Sequence, residues 1–178
     1  MTAWFLDADG FTHTIAALLL LGRLGDIVGT RLITPTLRLE TNPVVRHLGW
    51  RFGWASVAIA SLPYFMLSMG IAAMVVSLMV SGSNLMRGWT LRALGEADSE
   101  ALMLRVAARS QRRTALAFLI SGAAFIVIAG VVLMWLSGSM RVPSFWFGVG
   151  IVIYGVGMAL HGTAYVVRLF RQASVAAP

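Results

Sequence analysis

Asp26 and Glu40 are two carboxylates in a part of the chain that is otherwise largely apolar. On a helix, Arg23 lies one turn before Asp26 and Thr30 one turn after it, so these side chains share a face. If the chain turns near residues 34–36, Glu40 comes back towards Asp26. Two neighbouring carboxylates at low dielectric constant bind a cation, share a proton or each take an arginine. Ion binding, proton transfer and internal ion pairing are therefore the chemistries to weigh.

The residues after Glu40 predict the start of a helix. Asn42 is a favourable N-cap, and Pro43 fits the first helical turn, where its missing donor costs nothing. The partial positive charge of that helix end favours a carboxylate at Glu40. His47 follows on the same side of the membrane and, with Asp26 and Glu40, offers nitrogen and oxygen ligands for a divalent cation. This spacing is not a recognised metal motif, so cation binding is one alternative among several.

A structural role explains the same residues. Either charge alone near the centre of a membrane helix costs about 2.5–3.5 kcal/mol, and an Arg23–Asp26 ion pair would lower the cost of both. Small residues beside such a polar face let another helix approach closely. The predicted intramembrane polar cluster comprises Arg23, Asp26, Thr30, Glu40 and Asn42, and the predicted packing stripes are Gly25 and Gly29, and Gly155, Ala159 and Thr163.

Other chemistries find less support in the sequence. It contains no nucleophile elbow, Walker loop, zinc-protease motif or dinucleotide fingerprint. Zero cysteines exclude disulfides, iron–sulfur clusters and thiolate zinc sites. His13 lies near one end of the first apolar run and His161 deeper in the last, so a haem held by two histidines is not expected. The arginines stand at the ends of apolar runs, which does not indicate nucleic-acid binding. No cofactor is predicted.

Composition predicts an all-α, polytopic membrane protein. The 178 residues are 58% hydrophobic and only 12% charged, against about 45–50% and about 25% in soluble domains. About 20 apolar residues span the hydrocarbon core as a helix. Four windows satisfy that length and indicate a four-transmembrane-helix bundle forming a single domain over residues 1–178: residues 11–33, 54–80, 114–136 and 144–170. Pro63 is expected to kink the second of these helices.

The long connection between the second and third windows predicts a helical cytoplasmic hairpin, with Gly95 at its turn. The orientation follows from the arginines near the span ends. This connection and the C-terminal region carry eight arginines, whereas the two opposite connections carry five. The bias predicts an N-in and C-in protein of a prokaryotic cytoplasmic (inner) membrane, with the residues around Glu40 on the outer side.

The arrangement Asp26, Thr30, Glu40, Asn42 and Pro43, or D-x3-T-x9-E-x-N-P, resembles the signature of a family of small prokaryotic integral membrane proteins of unknown function. The resemblance covers about the first half of the chain. The arginine-rich hairpin and the fourth span look like additions to the more compact family pattern. The resemblance implies that the motif residues have a structural or functional role, but it implies no particular activity.

Three functions follow from these observations. The first is a non-enzymatic accessory, assembly or structural subunit, with the lipid bilayer and either a homo-oligomer or a larger membrane complex as its partners. The second is a small transporter or ion-binding protein that uses Asp26 and Glu40. The third is an intramembrane enzyme with the same carboxylates as acid and base, for which no nucleophile is evident.

Overall fold

A computed structural model describes residues 9–37, 39–40 and 43–176. Within these ranges the chain is all-helical and contains no strand, which confirms the all-α class. Six α-helices and one 3-10 helix follow each other along the chain: α1 (Gly10–Ile33), α2 (Pro43–Ala55), the 3-10 helix (Ser56–Tyr64), α3 (Leu67–Leu94), α4 (Glu96–Arg109), α5 (Arg112–Ser137) and α6 (Pro143–Ala176).

Four of these helices, α1, α3, α5 and α6, are long and apolar enough to cross a membrane. The helix α5 shows the clearest membrane character, because its outward side chains are apolar and largely uncovered. Phe118, Phe125 and Trp135 are 78%, 74% and 79% exposed within the chain. Such a continuous apolar face is unusual in a soluble protein and suits contact with lipid.

The helix α1 begins with a side-chain cap. Asp9 accepts a hydrogen bond of 2.8 Å from the backbone amide of Thr12, one of the amides that a helix start leaves without a partner. Hydrogen bonds from the side chain and the backbone of Thr12 lower the pKa of Asp9. At the other end, Thr34 donates its backbone amide to the Thr30 carbonyl and closes the last turn.

The second spanning helix differs from the predicted window 54–80. Residues 56–64 form the 3-10 helix, and α-helical structure resumes only at Leu67, continuing to Leu94. Pro63 has no backbone N–H and its ring occupies the preceding turn, which disfavours a continuous α-helix here. The chain then folds back so closely that a Cβ on Gly70 would lie 2.7 Å from the Pro63 Cα. The chain therefore reverses at residues 65–66, directly after the 3-10 helix that contains Pro63, where the sequence predicted a kink.

The helices α1 and α3 run parallel, side by side. Ile15 and Leu19 form the core with Ile71 and Met74 near the start of both helices. Further along, a methyl group on Gly22 would lie 3.0 Å from Ser77, one on Gly29 would lie 3.5 Å from the Asn84 Cβ, and Gly88 faces Ile33. Residue numbers rise together in both helices, so both chains point the same way.

The helices α5 and α6 form an antiparallel pair, and α6 packs on α3. Gly130 faces Gly148 and Val152, and Leu119 faces Gly162, so residue numbers rise in one helix as they fall in the other. The start of α6 touches the start of α3, where a Cβ on Gly150 would lie 2.7 Å from the Ala72 carbonyl oxygen. The amino-terminal end of α6 therefore lies at the same end of the bundle as that of α1.

The connection between α3 and α5 is helical, as predicted, and α4 packs against α6 and the end of α3. Gly95 makes the turn between α3 and α4 with φ 78° and ψ 165°, a conformation that essentially only glycine adopts. On the buried side of α4, Ser99 and Ala107 are almost fully covered. The connection is thus part of the helical bundle.

The start of α1 and the end of α6 lie at opposite ends of this bundle, since α1, α3 and α6 are mutually parallel. The predicted N-in and C-in arrangement needs both at the same end. It assumed that the spans alternate in direction, and the parallel pair α1 and α3 departs from that assumption.

Candidate functional site

Asp26 lies in the second half of α1, about 10 Å before the helix ends at Ile33. Its carboxylate accepts three hydrogen bonds. Arg23 Nη1 donates to Oδ2 at 3.2 Å and forms an ion pair, and Asn84 Nδ2 donates to Oδ1 at 2.7 Å. The Thr30 hydroxyl donates to the same Oδ1 at 3.5 Å, and it accepts from Asn84 at 3.1 Å. The Asp26 side chain, only 17% exposed, is therefore held by both α1 and α3.

Arg23 connects this carboxylate to the chain after α2. Its Nη2 donates to the hydroxyl oxygen of Ser56, the first residue of the 3-10 helix, and that hydroxyl donates to the Gly53 carbonyl at 2.5 Å. The Nε of Arg23 is buried without a hydrogen-bond partner among the described residues. The polar cluster in the structure consists of Arg23, Asp26, Thr30, Ser56 and Asn84, and this name is kept below.

Helix geometry explains how α3 reaches Asp26. Ser77, Ser81, Asn84 and Gly88 recur at intervals of four, three and four residues, so they share one face of α3. That face meets the glycine side of α1. A Cβ on Gly25 would collide with the Ser81 hydroxyl, so the absence of side chains there lets Asn84 approach the carboxylate. Asn84 was missed by sequence reasoning, although this small and polar stripe on α3 was a signal that could have found it.

Asp26 and Glu40 lie in different elements of the structure. Glu40 lies in the loop after α1, where its backbone amide donates to the Leu37 carbonyl at 3.3 Å, and it is not among the partners of Asp26. Asn42 lies outside the described residues, while Pro43 begins α2. His47 is exposed on α2. Among residues 9–37, 39–40 and 43–176, no three His, Asp or Glu side chains form a group that could hold a metal, and a cation at Asp26, Glu40 and His47 stays a prediction.

A second polar contact, also missed by sequence reasoning, closes the end of α1. Glu96, the first residue of α4, accepts hydrogen bonds from the hydroxyls of Thr34 and Thr36, the latter at 2.8 Å. Thr34 also accepts the backbone amide of Leu39 at 3.1 Å. The loop after α1 is thereby tied to the turn after α3, and Leu37 is held at a φ of 61°, which non-glycine residues rarely adopt.

Replacing Glu96 with glutamine tests this contact. We expect a loss of about 1 kcal/mol in the free energy of unfolding, because a neutral amide accepts hydrogen bonds from the two threonines less strongly than a carboxylate does. Asp98→Asn is the matched control, since it removes a charge from the same first turn of α4. Thermal unfolding in detergent should separate the two variants. Equal melting temperatures would mean that only the helix-end charge matters.

The three glycines among the predicted packing residues face other helices within the chain. Gly25 and Gly29 face α3, and Gly155 faces α5, where a Cβ would lie 2.8 Å from Val127 and 3.2 Å from the Ala123 carbonyl oxygen. Ala159 and Thr163, one and two turns further along α6, are partly buried. Gly25, Gly29 and Gly155 therefore contribute to helix contacts within the chain, while a packing role for Ala159 and Thr163 stays a prediction.

The polar cluster can do one thing without any ligand, which is to fasten two helices and the 3-10 helix together. Placing an arginine or an aspartate inside a spanning region costs free energy unless the charge is paired and hydrogen-bonded. Here Arg23 and Asp26 form an ion pair with each other. Comparison with known proteins adds nothing to this geometry: no family model, no curated protein and no solved structure matches the chain.

Proposed function

We propose that this chain is a non-enzymatic integral membrane protein of a prokaryotic cytoplasmic membrane, acting as a structural, assembly or accessory subunit of a homo-oligomer or a larger membrane complex. The observation that carries the proposal is the polar cluster. Arg23 and Asp26 are engaged with each other and with Ser56, Thr30 and Asn84, which gives both charges a fastening role. The uncovered apolar face of α5 leaves an outer surface for lipid or for a partner helix.

Membership of the D-x3-T-x9-E-x-N-P family is part of the proposal. Two of its motif residues, Asp26 and Thr30, meet at Asn84, and a third, Pro43, begins α2. A shared role in joining α1 to its neighbours would explain why such residues recur together at this spacing.

A second candidate is an ion- or proton-coupled membrane protein that uses Asp26. Two observations favour it: the buried Arg23 Nε has no hydrogen-bond partner among the described residues, and the irregular 3-10 helix begins beside it at Ser56. Interrupted helices line the binding sites of many transporters. Because Glu40 is not a partner of Asp26, this candidate rests on one carboxylate, whereas the sequence suggested two.

The decisive experiment compares the wild type with Asp26→Asn in proteoliposomes and in detergent. The structural role predicts no proton or cation flux above that of empty liposomes, together with a lower melting temperature for the variant, because asparagine cannot form the ion pair. Transport predicts measurable wild-type flux that the variant loses while its melting temperature stays unchanged. Asp98→Asn, which changes an exposed acid on α4, is the control.

The subunit role has a separate readout. Light scattering coupled to size exclusion in mild detergent should show an oligomer or a defined complex. A protein that purifies strictly monomeric and without a partner would contradict this part of the proposal, even if Asp26→Asn behaves as a structural variant.

A further inference from the structure

The chain must return between α1 and α3, because these two long helices are parallel and side by side. If both helices cross the membrane in the same direction, the residues that join them have to cross it in the opposite direction. This requirement comes from helix direction alone and holds whichever face of the membrane the helices start from.

Residues 50–64 follow that return path. Trp50 Nε1 donates to the Pro35 carbonyl at 3.1 Å, beyond the end of α1, and the Arg31 guanidinium lies 6.0 Å from the Trp50 ring centre. In the middle of α1, Arg23 binds Ser56. The order of these contacts shows residues 50–56 running antiparallel along α1.

The return ends at the amino-terminal end of α1. The hydroxyl of Tyr64, the last residue of the 3-10 helix, lies 2.9 Å from His13 Nδ1, and their rings meet edge to face at 5.5 Å. His13 is the fourth residue of α1. The segment therefore passes along almost the whole helix, from Pro35 to His13.

The length of the segment matches this path. Six residues of α-helix and nine of 3-10 helix, Trp50–Ala55 and Ser56–Tyr64, rise about 27 Å together, since a 3-10 helix rises about 2.0 Å per residue. The same residues as a continuous α-helix would rise about 22 Å. The hydrocarbon core is about 30 Å thick. The 3-10 conformation thus lets a short segment cover nearly the full thickness.

The composition of the segment suits lipid. No Asp, Glu, Lys or Arg occurs from Phe52 to Met86, and the side chains that the segment turns outward include Trp54 and Ile59, at 48% and 43% exposed. Gly49, at φ 68°, breaks the helical conformation immediately before the segment, and Arg51 is its last charged residue. A helical break and a charge therefore mark one end of the apolar stretch.

With the chain following this path, nearly all of the described arginines lie at one end of the bundle. One end of the bundle holds the end of α1, α2, the region from the end of α3 to the start of α5, and the end of α6. At the other end, the described residues contain a single arginine, Arg141, and the Asp9 carboxylate. The first end carries Arg31, Arg46, Arg51, Arg87, Arg92, Arg105, Arg109, Arg112, Arg113, Arg168 and Arg171.

We infer that residues 50–64 cross the membrane as a fifth, largely 3-10 span, and that the arginine-rich end of the bundle faces the cytoplasm. Arginine-rich flanks stay on the cytoplasmic side, where they also meet anionic head groups. The chain is then N-out and C-in, and the loop containing Thr34 and Glu40 is cytoplasmic, together with Glu96 at the start of α4. This inference goes beyond the proposed subunit role and does not depend on it, but it rests on the proposed location in a prokaryotic cytoplasmic membrane.

The natural absence of cysteine makes a direct test possible. Single cysteines are placed in four variants, and intact cells are treated with a membrane-impermeant maleimide before and after permeabilisation. Gly10→Cys lies at the start of α1 in open space, Pro35→Cys in the exposed loop after α1, Ser110→Cys between α4 and α5, and Met140→Cys between α5 and α6.

Five crossings predict that Gly10→Cys and Met140→Cys react in intact cells, whereas Pro35→Cys and Ser110→Cys react only after permeabilisation. Four crossings with both ends inside predict the same results for Ser110→Cys and Met140→Cys but the reverse for the other two. That reversal would overturn the inference. Reaction of Pro35→Cys and Ser110→Cys alone in intact cells would overturn the cytoplasmic assignment of the arginine-rich end.

A second measurement protects the test against a variant that fails to fold. An epitope attached to the amino terminus of the otherwise unchanged chain should be removed by protease added to intact spheroplasts. A fluorescent protein fused to the carboxyl terminus should fold and fluoresce, as it does only in the cytoplasm. An epitope protected from protease in a chain with a fluorescent carboxyl-terminal fusion would overturn the fifth crossing.

Discussion

Asp26→Ala is expected to lower the free energy of unfolding by about 3 kcal/mol. The substitution leaves the Arg23 guanidinium in the interior with only the Ser56 hydroxyl as a partner, and removing one member of a buried ion pair costs about 3–5 kcal/mol. The lower value applies because the two side chains remain 19% and 17% exposed within the chain. Asn84 loses one of its two hydrogen-bond acceptors in the same step and keeps the Thr30 hydroxyl. Unfolding in mixed micelles, followed by tryptophan fluorescence, measures the loss.

The double variant Arg23→Met with Asp26→Leu is the control for this prediction. It removes both charges together, so no unpaired charge remains, and we expect it to be more stable than Asp26→Ala. A single variant as stable as the wild type would contradict the fastening role. A double variant less stable than the single one would show that the arginine contributes mainly through Ser56.

Gly148→Ala should also be strongly destabilising, by about 2 kcal/mol. Its Cβ would lie 2.7 Å from the Gly130 carbonyl oxygen and 2.9 Å from the Met134 backbone nitrogen. Both are backbone atoms, so α5 and α6 would have to move apart, and such overpacking costs about 1–3 kcal/mol. The helix pair is the most apolar part of the bundle, and close contact between its backbones replaces the hydrophobic driving force that helices lack in lipid.

Gly157→Ala is the matched variant on the same helix. A Cβ there meets nothing within 4 Å, so only the helical preference changes, and alanine favours the helix by up to about 1 kcal/mol. The two substitutions should therefore shift the melting temperature in opposite directions, or the second should leave it unchanged. Equal losses at both positions would mean that α5 and α6 do not meet at Gly130 and Gly148.

The start of the second spanning helix could not be located from the sequence. The stretch from Phe52 to Met86 is uncharged and apolar throughout, so a sliding window can begin a helix at many positions within it. The stretch holds a short return segment, a reversal at residues 65–66 and the first part of α3. Hydropathy averages over such a reversal, because the turn is as apolar as the segments on either side of it.

For the polar cluster, too, the sequence predicts part of the arrangement and the tertiary structure supplies the rest. Helical periodicity places Arg23, Asp26 and Thr30 on one face, and the glycines beside them create room for a neighbour. The sequence of α1 does not say which residue of another helix occupies that space. Asn84 reaches Asp26 across 58 positions of the chain, and Thr34 reaches Glu96 across 62.

The sequence by itself determined the helical class, the apolar stretches long enough to span, and which residues share a face of one helix. These properties depend on local hydropathy and on the 3.6-residue period of the helix, and residues close together in the sequence determine both. Only the tertiary structure decided that α1 and α3 are parallel, that Asn84 and Glu96 complete the polar contacts, and that Asp26 takes its partners from α1 and α3 and not from Glu40. The direction and partner of each helix follow from the simultaneous fit of all the helix surfaces. In that fit, the close approach allowed by the absence of a Cβ at Gly25 or Gly148 matters as well as the pairing of charges.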